Sequence, residues 1–434
     1  MLEILTNLLW GWHVLLLILL IGICFSFQSG FFQIRRFSFW IKSAFSGGKN
    51  EGGTTAFQAL TAALGGSIGT GNIVGVGVAI AAGGPGAVFW MWVSAVFGMM
   101  TIFAENMLSV KYRDSKMPGP LGYISNTHKI GKKLAVIYAA GAFLSSFGMG
   151  NMVQVNAAGA ALNMFGIPVW VSAVFLSVML FFVAKGGLKF AVKITEKLVP
   201  LMSVMFFIAA GAVLWITREN LPAAFSSIFE GAFSLKAGAG GTIGMLIAMK
   251  TGVSRGVFTN EAGLGSSSFA YAEVEGRSAV EIGCMGIFQV FADTILMCTV
   301  TALCILCCFN PQKEGAELVF YAFTNTLGEA GGKAVSICTA LFAAATTVTW
   351  CCYGRAGLFY LTKEKGRLVY AGLFAAAAFS GCFMPLGAVF QIGDIFNGMM
   401  AIPNILALFC FSGELTELIR RFERNRKNNR PAKV

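Results

Sequence analysis

Residues 65–86 read GGSIGTGNIVGVGVAIAAGGPG, the densest run of glycine in a chain otherwise suited to membrane-spanning helices. Glycine is about 1 kcal/mol less favourable than alanine in a helix interior, so several glycines together predict an interruption. In lipid, irregular backbone persists only where it faces protein, water or a ligand. We therefore expect Gly69 to Asn72 to form an unwound, ligand-binding break. The alternative is that these glycines allow helices to pack closely.

The two sides of such a break suit ligand groups of opposite charge. The half-helix that starts near Asn72 presents free N–H groups and the positive end of its dipole, which suit a carboxylate. The preceding half-helix frees carbonyl oxygens near Gly65 and Ile68, which suit a sodium ion or an ammonium group. The candidate carboxylate-binding residues are Gly69, Thr70, Gly71 and Asn72. Asn72 could also bind the cation through its side-chain carbonyl.

Asp293 is an ionisable residue near the middle of an apolar stretch, at a depth where the sequence has no lysine or arginine. An intramembrane carboxylate is a candidate functional group because a charge is costly to place in lipid. Its partner is a sodium ion, a proton or the ammonium group of a substrate, and the sequence leaves these three open.

A polar stripe is predicted on a later span. Phe147, Asn151 and Gln154 recur at i, i+4 and i+7, so a regular helix would place them on one face. An aromatic ring above two amides suits the wall of a pocket. The alternative is that the amides hydrogen-bond to neighbouring helices.

The elements that position these residues are membrane helices. Hydrophobic residues make up 56% of the 434 residues and charged residues only 12%, which predicts one polytopic membrane domain over 1–434. The predicted spans are 12–33, 56–84, 86–110, 134–162, 168–184, 198–217, 237–252, 280–308, 334–360, 368–384 and 387–411. The first span lacks a basic leader and a cleavage site, so we expect it to be a retained helix.

Composition also disfavours several classes of function. The eleven cysteines lie almost entirely in apolar stretches and the chain has two histidines, so neither haem nor zinc is expected. Cys304 and Cys307 form a C-x-x-C that leaves a redox or disulfide role open. The net charge of +12 would suggest nucleic acid in a soluble protein, but here we expect the basic residues to set the orientation in the membrane.

Basic residues are concentrated in alternate loops. If the N-terminus is outside, the inner segments hold 27 lysines and arginines and the outer loops hold four. Those inner segments are 34–55, 111–133, 185–197, 250–278, 361–367 and the basic tail 412–434. Because Lys and Arg are retained in cytoplasmic loops, this predicts an outside N-terminus and a cytoplasmic C-terminus in the plasma (inner) membrane.

Eleven spans predict an accessory helix, 12–33, followed by ten. Ten spans divide into two sets of five, 56–217 and 237–411, and an odd number makes the second set run in the opposite direction. The match of GGSIG at 65–69 with GGTIG at 240–244 predicts a second break there. Ser67 and Thr242, at matching positions, are then further candidate oxygen ligands, Ser67 for a cation and Thr242 for the substrate.

Ordered motifs along nearly the whole chain resemble the alanine-or-glycine:cation symporter (sodium:alanine symporter) family. They are GTGNIVGVGVAIAAGGPGAVFWMW at 69–92, FAE at 103–105, KYR at 111–113, GNMVQVN at 150–156, RGVFTNEAGLGSS at 255–267, FADT at 291–294 and TTVTW at 346–350. The resemblance implies a leucine-transporter-type fold, a five-plus-five inverted repeat with one extra first helix. It also implies sodium- or proton-coupled uptake of a small neutral amino acid.

The resemblance assigns further site residues. It implies that Thr346 and Thr347 lie on a helix facing the first break and complete a sodium site, although threonines in membrane helices often bond back to their own carbonyls. Trp350 would cap the pocket and restrict it to alanine or glycine, or else only pack. Arg255 and Glu261 flank a motif that could form a cytoplasmic gate, with helix capping as the alternative for Glu261.

The sequence thus predicts a sodium-coupled symporter rather than an enzyme. Proton coupling, or glutamine or serine as the main substrate, are the nearer alternatives. An ion channel is a distant one, because carbonyl-rich loops also form filters. A membrane-embedded enzyme would need a nucleophile or metal constellation that the motifs lack. We expect an amino acid, sodium and the lipid bilayer as partners, with no cofactor, nucleic acid or obligatory protein.

Overall fold

The structure is a computed structural model. It describes residues 2–46, 55–114, 117, 119–186, 188–233, 242–310, 312–313, 315–363 and 365–427. Within these ranges the side chains of residues 188–192, 242 and 427 are not described.

The described residues are almost entirely helical. Their α-helices are α1 Leu2–Leu9, α2 Trp12–Gln28, α3 Phe32–Arg35, α4 Phe37–Phe45, α5 Ala56–Ser67, α6 Val74–Gly83, α7 Gly86–Lys111, α8 Pro120–Ser125, α9 Gly131–Phe147, α10 Val153–Asn163, α11 Val169–Gly186, α12 Leu188–Ile216, α13 Leu221–Phe233, α14 Thr242–Asn260, α15 Ser268–Tyr271, α16 Ala279–Val290, α17 Thr299–Cys307, α18 Gly315–Thr362, α19 Arg367–Phe383, α20 Leu386–Cys410 and α21 Ser412–Lys427. Eight helical stretches among them are long and apolar enough to cross a membrane. An all-α polytopic membrane protein is therefore confirmed.

Besides the 3₁₀ turn Arg218–Asn220 and a kink at Gly328 that divides α18 into two helices, four helical regions depart from regular α geometry. A single 3₁₀ turn, Thr70–Asn72, separates α5 from α6. Two π-helical segments, Gly148–Met152 and Phe291–Cys298, join α9 to α10 and α16 to α17. Between α14 and α15 the chain is non-helical over 261–267. Since π segments and broken helices are common at functional sites, these four regions are the first places to look for one.

The first break lies in the middle of the bundle. α5 packs against α12 and α18, α6 packs against α14 and α18, and the 3₁₀ turn itself contacts α10, α14, α18 and the second π segment. Every residue from Ala59 to Gly77 is buried. The irregular backbone is thus surrounded by protein, as it must be at membrane depth.

The second break is not where the repeated GGTIG motif predicts it. Gly240 and Gly241 lie outside the described residues, and from Thr242 the chain is helical to Asn260, eight residues beyond the predicted span. The interruption comes at 261–267 instead, where Gly263 and Gly265 have φ of 92° and 71°. Only residues that tolerate a left-handed backbone allow this path, and two nearby glycines supply it.

The bundle has two distinguishable ends. At one, which we call the N-terminal end, Thr6 of α1, Val78 of α6 and Leu386 of α20 line a shared cavity. At the other, the tail end, α21 is held by ion pairs from Lys111 and Arg35 to its glutamates, at 2.6 and 2.8 Å. The described part of the basic tail is therefore a helix packed on the bundle.

Candidate functional site

The first break contains a glycine that no other residue could replace without a shift of its neighbours. Gly69 has an extended backbone and no side chain. A Cβ there would lie 2.4 Å from Oγ1 of Thr346 and 3.1 Å from Oε1 of Gln154. The two polar side chains therefore reach the backbone of the break because residue 69 has no side chain.

Asn72 connects the two halves of the break to a neighbouring helix. Its Oδ1 accepts a hydrogen bond from the Gly69 N–H at 2.9 Å. Its Nδ2 donates to the main-chain oxygen and to Oδ1 of Asp293, both at 2.9 Å. The second carboxylate oxygen of Asp293 accepts from Oγ1 of Thr294 at 2.7 Å. Asp293 thus faces the break and holds Asn72 in position.

Gln154 accepts hydrogen bonds from the donors of Thr70 on the α6 side of the break. Its Oε1 accepts from the main-chain N–H of Thr70 at 3.1 Å and from the Thr70 hydroxyl at 2.9 Å. Its Nε2 donates to the carbonyl of Met149 at 3.0 Å. An amide oxygen therefore takes the position that the sequence assigns to an oxygen of a bound carboxylate. Gly71 lies on the opposite side, where a Cβ would be 3.2 Å from Oγ1 of Thr259.

A cluster of oxygens lies on the α5 side. Oγ1 of Thr346 donates to the carbonyl of Gly65 at 3.0 Å and approaches that of Ile68 at 3.3 Å. Oγ of Ser67 is buried and has no hydrogen-bond partner among the described residues. Neutral oxygens converging from two helices are the ligands that hard cations prefer. Within the described part of the chain, no three His, Cys, Asp or Glu side chains converge to offer a softer metal site.

The predicted cation ligands do not form one group. Asp293 and Asn72 bond to each other, whereas Thr346 bonds to carbonyls of α5 and of the residue that ends it. The hydroxyl of Thr347 donates to its own helix, at Ala343 O, at 2.7 Å. This is the alternative in which a threonine hydroxyl bonds to a carbonyl of its own helix. Thr347 therefore does not join Thr346 at the carbonyls of the break.

Phe147 and Asn151 share one face as predicted, but Gln154 does not lie on it. The ring of Phe147 packs against Tyr370 at 5.4 Å between centroids, and Asn151 donates to the carbonyl of Phe374 at 2.7 Å, so both face α19. The π segment Gly148–Met152 inserts an extra residue per turn and rotates Gln154 towards the break. Phe147 is therefore not a residue of this site.

Trp350 is fully buried between the first π segment and the second break. Its indole N–H donates to Oε1 of Glu261 at 2.9 Å. A Cβ on Gly150 would lie 2.2 Å from Cβ of Trp350, so the two helices touch there. The side chain of Thr242 is not described, so its predicted contact with a substrate lies outside the described residues.

The second break is filled by a carboxylate from α7. Oε1 of Glu105 accepts from the N–H groups of Gly263 and Gly265, at 2.9 and 3.2 Å, and from Nδ2 of Asn404 at 2.7 Å. Glu105 is completely buried. Sequence reasoning assigned it no site, and the available signal was a lone glutamate inside an otherwise apolar helix.

Arg255 and Glu261, predicted to form a cytoplasmic gate, do not contact each other through a hydrogen bond or ion pair and have different partners. Arg255 forms a buried ion pair with Asp394, and its guanidinium lies 4.9 and 4.7 Å from the ring centroids of Phe258 and Phe390. Glu261 is bonded to Trp350 and to Ser266 instead. Arg255 lines the cavity at the N-terminal end of the bundle, together with Thr6 and Leu386.

A bundle of membrane helices broken around buried polar groups is the architecture of the leucine-transporter-type fold. Its fold resembles that of MhsT in complex with L-phenylalanine, with a TM-score of 0.60, 15% identity, and coverage of 84% of this chain and 90% of that one.

The whole chain, residues 1–434, matches the model of the sodium:alanine symporter family. The sodium/alanine symporter AgcS of Methanococcus maripaludis is 38% identical, covering 96% of each chain. A relative from Bacillus subtilis named as a sodium/glutamine symporter, GlnT, is 30% identical over 97% of this chain and 90% of its own. The chain belongs to the sodium:alanine symporter family, and it is a cation-coupled amino-acid symporter rather than an enzyme.

Proposed function

We propose that this protein carries a small neutral amino acid, alanine or glycine, into the cell with sodium by alternating access. The proposal rests on one observation: acceptor oxygens and hydrogen-bond donors lie on the two sides of the same break. Thr346 gathers the carbonyls of Gly65 and Ile68 on one side, and Gln154 holds the free donors of Thr70 on the other.

The α6 side of the break suits the substrate carboxylate. The N–H and hydroxyl of Thr70 both point at one acceptor oxygen, Oε1 of Gln154. A carboxylate that displaced this oxygen would form stronger, charge-assisted bonds with the same donors. The Gln154 amide would then be free to turn and donate to the ligand. No arginine is needed, because the helix terminus itself favours negative charge.

The α5 side suits sodium. Binding would replace the hydrogen bonds of the Thr346 hydroxyl with coordination by that oxygen and by the carbonyls of Gly65 and Ile68. Ser67 offers a further buried oxygen without a partner among the described residues. Sodium and substrate are coupled because both would order the same short segment, so each lowers the cost of binding the other.

The close packing of neighbouring side chains on the glycines of the break favours a small substrate. Thr346 packs so closely on Gly69 that a Cβ at this position would overlap its hydroxyl oxygen. Little room is therefore left beside the backbone of the break. Glutamine, which appears in the name of the relative GlnT, would need a larger opening on the side of Gly71 and Thr259. Alanine and glycine fit the observed packing with the least rearrangement.

One sodium ion supplies enough energy for uptake. A membrane potential of about 100 mV contributes about 2.3 kcal/mol per charge. A tenfold ion gradient adds about 1.4 kcal/mol, so substrate could be concentrated several-hundred-fold. In this scheme the N-terminal end faces outside and the tail end faces the cytoplasm. Lys250 and Arg255 then lie on the outer side, not in an inner segment 250–278, and the Arg255–Asp394 pair closes the outer path.

Proton coupling through Asp293 is the main alternative. Both oxygens of this carboxylate accept hydrogen bonds, from Asn72 and from Thr294. That arrangement suits a fixed acceptor that positions Asn72, so we assign Asp293 a positioning role beside the substrate rather than the coupling step.

The proposal is tested by a matched pair of amide variants. Gln154→Ala should reduce sodium-driven alanine uptake in proteoliposomes at least about tenfold, since it removes a bond to a charged ligand. Asn151→Ala is the control, because that amide bonds to Phe374 on α19. The amount of folded protein in the membrane is measured for both. Normal uptake by Gln154→Ala would overturn the assignment of the pocket.

A further inference from the structure

The tail helix α21 turns its apolar residues and most of its carboxylates toward the bundle. Glu414 pairs with Lys111 of α7 at 2.6 Å. Glu423 pairs with Arg35 of α3 at 2.8 Å. Two of the three carboxylates of this helix are therefore used to hold it to the rest of the protein. The apolar residues buried on the same side are Leu415, Leu418, Ile419 and Phe422.

Arginines occupy the opposite face of α21. Arg420, Arg421 and Arg424 are exposed. Arg421 is neutralised by Glu417, one turn before it, at 3.0 Å. Arg420 and Arg424 have no hydrogen-bond or ion-pair partner among the residues that the structure describes. Because they are four residues apart on one helix, these two side chains are neighbours. A pair of free guanidiniums therefore faces away from the bundle.

The short helices beside α21 expose apolar side chains. The ring of Phe39 on α4 lies 5.4 Å from that of Phe422 and 4.8 Å from the guanidinium of Arg426, so α4 and α21 are in contact. Exposed apolar side chains next to basic ones are typical of protein at the boundary between lipid headgroups and acyl chains. From the end of α2 to the end of α4 they are Phe27, Ile34, Phe37 and Phe45.

A phosphate group of a lipid suits this combination. Guanidinium groups bind phosphate oxygens through two parallel hydrogen bonds, and two guanidiniums one turn apart can contact the same phosphodiester. Basic residues at a membrane surface attract anionic lipids. The adjoining apolar side chains favour a lipid over a nucleic acid or a soluble anion, because only a lipid carries acyl chains that would contact them.

We propose that Arg420 and Arg424 bind the headgroup of an anionic phospholipid, whose acyl chains lie against the exposed apolar residues between α2 and α4. α21 follows α20 directly and is paired with α3 and α7, so a lipid bound to the docked helix stabilises the junction of all four helices. The inference does not depend on which amino acid or cation is carried, nor on the direction of transport.

The test measures lipid binding to the full chain in detergent by native mass spectrometry. We expect the wild type to bind phosphatidylglycerol more tightly than phosphatidylcholine with the same acyl chains. Arg420→Gln with Arg424→Gln should weaken phosphatidylglycerol binding about thirtyfold, as for the loss of two basic groups at an anionic surface. Both arginines are exposed, so the fold should be kept.

The matched control is Lys313→Gln with Lys333→Gln. It removes the same number of charges, but from lysines that have glutamate partners of their own, so it should bind phosphatidylglycerol as the wild type does. Equal binding of the two lipids by the wild type would overturn the proposal. An arginine double variant that binds like the wild type, or a control weakened as much as that variant, would also overturn it.

A third variant should act in the opposite direction. Glu417→Gln removes the carboxylate that neutralises Arg421, so a further guanidinium becomes available and phosphatidylglycerol binding should tighten about fivefold. Unchanged or weaker binding would overturn the assignment to this face of α21. Glycerol phosphate in large excess, a headgroup without acyl chains, should not displace the lipid. Displacement would assign the two arginines to a soluble anion instead.

Discussion

The two broken helices of this transporter differ in what satisfies their backbone. At the first break, neutral side chains contact the free groups: Asn72, Gln154 and Thr346. At the second, the carboxylate of Glu105 accepts from two glycine N–H groups and from Asn404. A partner held by one or two bonds can be displaced by a charged ligand. At the second break one Glu105 oxygen already accepts three hydrogen bonds, so the backbone there is satisfied by the protein itself.

Because of this difference, we expect the two breaks to have different roles. The first is suited to exchange sodium and a carboxylate during each cycle. The second is held to α7 and α20 by hydrogen bonds of Glu105 and Asn404, and through Glu261 it is also bonded to Trp350 of α18. We infer that the second break is a fixed joint of the bundle and that only the first is a ligand site.

The largest effect is expected from Gly69→Ala. The added Cβ would press on Oγ1 of Thr346 at 2.4 Å and on Gln154 at 3.1 Å, so it should separate both ligand groups. Overpacking of this kind costs about 1–3 kcal/mol, and uptake should fall by up to about a hundredfold. Gly75→Ala on α6 is the control, because nothing lies within 4 Å of its added Cβ. Equal uptake by the two variants would remove the first break from the mechanism.

A smaller effect is expected from Thr346→Val, which keeps the side-chain shape and removes the hydroxyl. The sodium concentration for half-maximal uptake should rise about tenfold, as for the loss of a bond to a charged group. Thr347→Val should match the wild type, since that hydroxyl donates to its own helix at Ala343. A sodium titration of uptake measures both. The reverse ranking would move the cation site away from Gly65 and Ile68.

The smallest effect is expected at the second break. Glu105→Gln keeps an acceptor oxygen but weakens three bonds, so the maximal uptake rate should fall a few-fold while KM for alanine and for sodium stays unchanged. Glu414→Gln removes a carboxylate from the partly exposed pair with Lys111 and should change neither. A raised KM for alanine in Glu105→Gln would show that the second break also binds substrate.

The sequence predicts the first break well because its signal is local. The glycines that interrupt the helix and the polar residue that follows them are adjacent in the chain, so Gly69 and Asn72 could be recognised directly. Thr346 and Gln154 came from the family resemblance and from helical periodicity, and the structure brings both to the break.

The rest depends on contacts that no local pattern contains. A π segment changes the helical period without a sequence signature, which moves Phe147 away from Gln154. Glu105 meets Gly263 across 158 residues, and Arg255 meets Asp394 across 139. A five-residue motif repeated in a glycine-rich chain was a weaker guide to the second break than the glycines that allow a left-handed backbone.

The central claim is that the first break couples sodium to an amino acid. It is tested most directly by alanine uptake into proteoliposomes, with an inward gradient of sodium, potassium or choline at one fixed pH on both sides. We expect concentrative uptake with sodium alone, and an about tenfold higher sodium requirement for that uptake in Thr346→Val. Uptake that continues in choline and follows an imposed pH gradient would contradict the account.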